Sequence, residues 1–306
     1  MTVAEAAAPA TTTRDAGAPQ LRRRSAAWLG LTPFAVYVLL FLAVPAVLAV
    51  GSSFFDKEGG FTFANLSAFA DTHIQLDFFN SFWVSLVTAV LGAILGAIVC
   101  FALLTAKPDG VLRSVVDSAS SVLAQFGGLM LAFAFIATIG IQGAITQALI
   151  SLGFTQNIFN NFNGGPLLYS VPGLLIPYLY FQIPLMVLSF MPAMEGLKAT
   201  WGEANATLGG TRFTYWTRIA FPILAPAFFG SLILLFANSF SSYATAAALI
   251  DQGGIVPLAI HQQISSETVV GATNVAGVLA LGMVIVMVVV MSVYSALQRR
   301  ASRWQR

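Results

Sequence analysis

The sequence predicts an all-α membrane protein with six transmembrane helices. Three observations carry that prediction. Of the 306 residues, 58% are hydrophobic and only 8% charged. A soluble domain carries roughly 25% charged residues, so there is too little charge to face water on all sides and lipid must be the main solvent. Six segments reach the roughly 20 apolar residues that a helix needs to cross the hydrocarbon core. The basic residues also sort to one side of a six-span scheme.

The predicted spans are Ala27–Val50, Phe79–Thr105, Ser114–Gly140, Leu168–Pro192, Phe221–Ile250 and Gly271–Leu297. The first follows Arg22-Arg23-Arg24 and is too long for the apolar stretch of a signal peptide, so it reads as an uncleaved span. The second carries Gly92-x-x-x-Gly96, a spacing that lets two helices approach closely. Prolines at 33, 45, 172, 177 and 184 fall in or near spans, where packed membrane helices tolerate them. Residues 1–21 are rich in Ala, Thr and Pro and read as a disordered tail. Residues 22–306 read as one transmembrane domain.

Six spans put both termini on one side. Thirteen of the fourteen Lys and Arg residues then share that side, which is net +7, and only Lys57 lies opposite. The opposite side holds Asp56, Glu58, Asp71, Asp77, Asp251 and Glu267 and is net −5. The positive-inside rule makes the basic side, and both termini, cytoplasmic. Between spans three and four, Asn157, Asn160, Asn161, Asn163, Gly164 and Gly165 mark an outer turn-rich loop.

The cytoplasmic loop 193–221 has the most structure to read. Met194, Leu197, Trp201, Ala204 and Leu208 recur at helical spacing as one apolar stripe, with Glu195, Lys198 and Asn205 off it. Gly209-Gly210 ends that helix, and Thr211 is placed to cap a second short helix carrying Phe213, Trp216 and Ile219. Pro222 opens the fifth span. The stripe needs a cover. On periodicity alone, the chain's own inner surface or the lipid interface is favoured over a groove on a soluble partner.

Several chemistries are missing. There is no Gly-x-x-x-x-Gly-Lys-Ser/Thr loop to cradle phosphates. His73 and His261 lie far apart with no metal-ligand spacing, and Cys100, the single cysteine, sits in an apolar run. No nucleophile and base pair up for catalysis, so no enzyme, metal site or nucleic-acid partner is expected. Within the spans Asp117 is the one acid, read as an interfacial anchor. That scarcity weighs against a proton relay. Uncharged polar residues are Asn238, Ser239, Ser241, Ser242, Tyr243 and Thr245 in span five, with Gln125 and Gln182 in spans three and four. They are candidates to line a translocation path, or else to bond helix to helix.

Glu203, Ala204, Gly209, Ile219 and Pro222 also carry a resemblance. The segment resembles the coupling loop of bacterial ABC importer permeases, whose pattern is Glu-Ala-Ala, three residues, Gly, nine residues, then Ile-x-Leu-Pro. Asn205 stands for the second alanine and Phe221 for the leucine. The resemblance implies a type I ABC importer permease fold in a bacterial inner membrane. It implies that the loop, with Leu197 and Trp201 on its stripe, docks on a separate ABC ATPase. ATP and Mg would then be bound there and not on this chain. It further implies a second permease, expected to be a paralogue, and an extracytoplasmic solute-binding protein. The stretch "FANSFSSYATAAALI" resembles the fifth-span end of permeases for polyamines, ferric iron, sulfur oxyanions and aminophosphonates, and "VPLAIHQQI" resembles the outer helix before span six in the polyamine group, which points to spermidine or putrescine. A sugar or other small-solute permease, or an ion-coupled carrier, is the alternative.

Overall fold

A computed structural model describes residues 23–302 except 57, 107–109, 155–158, 160, 161, 163, 164, 251, 252 and 266–271. The tail 1–21, Lys57, Asp251, Glu267 and most of the asparagine loop lie outside the described residues. Among them, secondary structure is helical apart from two isolated bridges, Phe55 with Phe61 and Phe162 with Gly165. Six helical stretches are long and apolar enough to cross a membrane: Gly30–Phe54, Thr72–Leu104, Leu129–Ser151, Val171–Glu195, Arg212–Phe240 and Thr273–Ala296.

The described residues up to Leu48 and those from Ala49 onward form two compact units. In the first, helix Arg23–Val38 widens into a π-turn at Leu39–Ala43 and resumes at Val44–Gly51. Pro45 follows that π-turn by two residues. Proline has no N–H to give and its ring crowds the carbonyl four residues back, so a wider turn there relieves both faults. Phe34, Tyr37, Phe41 and Leu42 are exposed, as suits a helix solvated by hydrocarbon.

The second unit is built on the second span, which packs chiefly on the fourth and fifth. A Cβ at Gly92 would stand 2.6 Å from Gln182 Cβ, and one at Gly96 2.5 Å from Met186 Cβ. The small-residue pair thus faces two residues one turn apart on span four, as its spacing predicts. Around this contact one apolar cluster gathers Cys100, Met186, Phe190, Met194, Leu235 and Phe240, so Cys100 is a buried small hydrophobe. A second cluster joins Val84, Leu131, Leu174, Tyr178, Phe181 and Leu249.

Three predicted boundaries are corrected. Span two starts at Thr72, seven residues before Phe79, because Asp71 caps it by accepting from His73 N at 2.8 Å. Predicted span three, Ser114–Gly140, is two helices, Val111–Gln125 and Leu129–Ile139, followed by Ala144–Ser151 in the supposed outer loop. The break falls at Gly128, whose φ of +71° and ψ of −143° suit only glycine. Predicted span five, Phe221–Ile250, ends at Phe240; a bend at residues 241–243 separates it from Ala244–Leu249.

Candidate functional site: the 193–221 hairpin and the paired helix breaks

The hairpin departs from its predicted form in two ways. The stripe is not one helix: Met194 lies in the last turn of span four, which ends at Glu195 with Gly196 as its C-cap, and a separate helix runs Ala199–Thr207. Met194 is buried and Leu197 half-buried in the apolar cluster around Met186, whereas Ala204 and Leu208 are exposed. The residue turned inward is Asn205, expected to lie off the stripe. The second short helix is also not separate. Arg212–Tyr215 runs through a π-turn at Trp216–Ala220 straight into Phe221–Phe240, so Pro222 lies inside a continuous helix. It follows that π-turn by two residues, the same arrangement as at Pro45.

The turn itself forms as the glycines predict. Gly209 has φ +77°, the left-handed region open to glycine. Gly210 N donates to Asn205 O at 2.8 Å and Gly209 N to Ala206 O at 3.0 Å, the two bonds of a Schellman ending. Asn205 Nδ2 donates to Thr211 O at 3.1 Å, tying the first helix to the start of the second. Thr211 Oγ1 caps that start by accepting from Thr214 N at 3.2 Å. The result is a fixed elbow presenting Glu203, Ala204 and Leu208 outward, Leu208 at 88% exposure. Trp201 and Ile219 are half-buried and Pro222 is exposed.

One ion-pair cluster, not foreseen from sequence, braces the hairpin's root. Arg113 pairs with Glu195, the last residue of the span-four helix, and lies 3.7 Å from Asp117 one turn along its own helix. The (Arg113, Asp117) spacing was visible in the sequence, but nothing local pointed to Glu195 as partner. Asp117 is thus anchored in an ion-pair cluster rather than isolated.

Away from the hairpin the two helix breaks meet. Thr245 Oγ1 accepts from Gly128 N at 3.0 Å and lies 3.3 Å from Gly128 O, to which it can donate. Tyr178 donates its hydroxyl proton to Ser242 O at 3.0 Å. One side chain on each of two neighbours therefore satisfies backbone that unwinding exposes. The predicted path residues divide here. Gln125 and Asn238 are exposed beside the two breaks, Ser242 and Tyr243 are half-buried in the second, and Tyr243 lies against His261 with ring centres 5.0 Å apart. Gln182 is instead fully buried: Nε2 donates to Leu235 O at 2.9 Å, and Oε1 has no partner among the described residues. Above it Thr88 and Ser239 share a hydrogen bond of 3.0 Å.

Beyond the breaks, Asp77 Oδ1 accepts from Gly254 N at 3.0 Å and Ser81 Oγ from Val256 N at 2.8 Å. Two residues one turn apart on span two thereby hold the start of helix Val256–Ser265. A cavity of about 690 Å³ opens there, lined in part by Asp71, His73, Asp77, Gln262 and Gln263. No group of three or more His, Cys, Asp or Glu among the described residues is arranged to hold a metal ion.

The geometry agrees with what known proteins share with this chain. No family model matches it. A probable ABC transporter permease of Sinorhizobium fredii is 25% identical over 87% of this chain, which spans about half of that relative (45%). The sulfate transport system permease protein CysT of Synechocystis sp. is 22% identical, with 80% of this chain and 81% of the relative covered. Among solved structures, a bacterial importer of the acidic polysaccharide alginate matches 92% of this chain and 96% of its own, with TM-score 0.70 and 14% identity. A methionine ABC transporter in inward-facing form matches 75% of this chain with TM-score 0.54. The chain has the fold of an ABC importer permease. Its curated relatives are named as permease proteins, and the most distinctive local features of the chain within that fold are the elbow at Gly209 and the helix breaks at Gly128 and Ser241–Tyr243.

Proposed function

We propose that the chain is the permease subunit of an ATP-driven importer in a bacterial cytoplasmic membrane, with both termini cytoplasmic. It works with a separate ABC ATPase, a second permease and an extracytoplasmic solute-binding protein. The observation that carries this reading is the locked elbow: the Gly209 turn and the Asn205–Thr211 bond hold Glu203, Ala204 and Leu208 outward on a short rigid helix. Such a knob, rooted by Arg113 and Glu195 and continuous with span five through Trp216–Ala220, passes a push from a soluble partner directly into the membrane. Gln125, Asn238, Ser242 and Tyr243 at the helix breaks are the proposed solute-facing groups, since unwound backbone at membrane depth is tolerated where it is buried or lines a cavity.

For the solute we propose an organic polyamine of the spermidine or putrescine class. Asp71 and Asp77 in the large cavity support a cation, because a dianion there would face two carboxylates. Sulfate is the second reading, favoured by the curated relatives named for it. The test is reconstitution with the ATPase and the binding protein, measuring ATP hydrolysis with spermidine or sulfate. Stimulation by spermidine, lost in Gly209→Val, is expected. Stimulation by sulfate alone moves the solute assignment, and a coupled Gly209→Val importer refutes the elbow mechanism.

A further inference from the structure

We infer that one anionic phospholipid occupies a defined site between spans two, four and five at the hairpin end. A cavity of about 410 Å³ lies there, walled by Phe101, Phe190, Met194, Trp216, Leu224 and Phe228 among others. Its one hydroxyl, on Thr217, already donates to Phe213 O at 2.8 Å, so the wall offers a solute no free side-chain hydroxyl. The walls belong to membrane-spanning helices, so the surrounding medium is hydrocarbon, and an acyl chain fills such a space at no desolvation cost.

The charge at one end selects the headgroup. Arg212 stands one turn before Trp216, and Arg218 one turn before Phe221, both of which line the cavity. Both arginines are exposed, and among the described residues neither lies within ion-pair distance of a carboxylate. Carbon walls with two unpaired arginines on the helix turns beside them match an amphiphile with an anionic phosphate, and basic pockets between spans recognise such headgroups. A protein helix laid over the same place would need carboxylates of its own to meet Arg212 and Arg218. The lipid sits against the π-turn Trp216–Ala220, whose Trp216 ring meets Phe101 edge-on at 5.1 Å. The site does not depend on the importer reading, because its test uses this chain alone.

The probe is Trp216. The full chain, with Trp28, Trp83, Trp201 and Trp304 replaced by Phe, is reconstituted in phosphatidylcholine vesicles. These contain either bromine-labelled phosphatidylglycerol or bromine-labelled phosphatidylcholine. Two arginines at about fivefold each predict that the anionic label quenches Trp216 at a mole fraction roughly 25-fold lower. Arg212→Gln with Arg218→Gln is expected to bring the two labels together. Ala225→Phe fills the cavity without moving charge and is expected to abolish the difference. Native mass spectrometry of the chain with all its tryptophans retained is expected to show one bound phosphatidylglycerol, lost in the double arginine variant. Equal quenching by both labels, a preference that survives Ala225→Phe, or cross-linking of position 216 to a second protein chain overturns the proposal.

Discussion

Gly96→Ala adds one methyl group where spans two and four cross closely. Its Cβ would stand 2.5 Å from Met186 Cβ, 2.7 Å from Met186 Cγ and 2.9 Å from Ile183 O. Carbon atoms rest at about 3.5–4.0 Å, so spans two and four must part by roughly 1 Å. Met186 Cγ can swing aside, but its Cβ and the Ile183 carbonyl are fixed to backbone. Overpacking of this kind costs about 1–3 kcal/mol, which lowers the folded-to-unfolded ratio roughly five- to 150-fold. Between helices in lipid, packing is the main adhesive, so no gain elsewhere offsets it. The assay is unfolding in mixed micelles by increasing denaturing detergent. Gly202→Ala is the control: nothing lies within 4 Å of its Cβ position, and it sits inside helix Ala199–Thr207. It is expected to be stabilising by about 0.5–1 kcal/mol. A Gly96→Ala chain that unfolds no earlier than the parent refutes the close-packing argument.

Four further outcomes are expected. Thr245→Val removes the hydroxyl that serves both Gly128 N and O and is expected to destabilise by about 1–3 kcal/mol in the same titration, with faster amide exchange at Gly128. Asn205→Ala, which restores the alanine of the resembled motif, is expected to cost about 0.5–1.5 kcal/mol by freeing Thr211 O, read by unfolding. Arg113→Gln is expected to cost no more than about 1 kcal/mol, since Glu195 and Asp117 are both about half exposed, yet to loosen the hairpin root as read by proteolysis within 193–221. Gln182→Leu loses one bond to Leu235 O but also removes a buried oxygen without a partner, so its stability is expected to stay within about 1 kcal/mol of the parent.

Span number, the role of Gly92-x-x-x-Gly96 and the elbow at Gly209 were legible because each rests on a local rule. Hydropathy follows from solvent, close approach from a missing Cβ, and the turn from left-handed backbone. The same Gly-Gly dipeptide was informative at 209–210, where polar neighbours announced a loop. It was hidden at 127–128, where apolar residues on both sides made one long span. Hydropathy averages over a window and cannot register a single unwound residue. The polar run from Asn238 to Thr245 carried the signal of the second break, but nothing in it named Gly128 as the partner of Thr245. Glu195 and Arg113 were unreadable as a pair for a like reason: 82 positions separate them, and only the packing of helix Val111–Gln125 on span four brings them together.

The widened turn at Trp216–Ala220 has a consequence for register. An α-helix advances about 100° per residue. The five residues of the π-turn complete about the rotation that four give in an α-helix, so one extra residue is taken up with little change in the bearing of the elbow relative to span five. Deleting a single residue within 216–220 would restore a uniform helix and leave Glu203 and Leu208 near their present bearing around its axis. That joint lets a residue be gained or lost in this stretch while the elbow and the side chains packed between the spans keep their places.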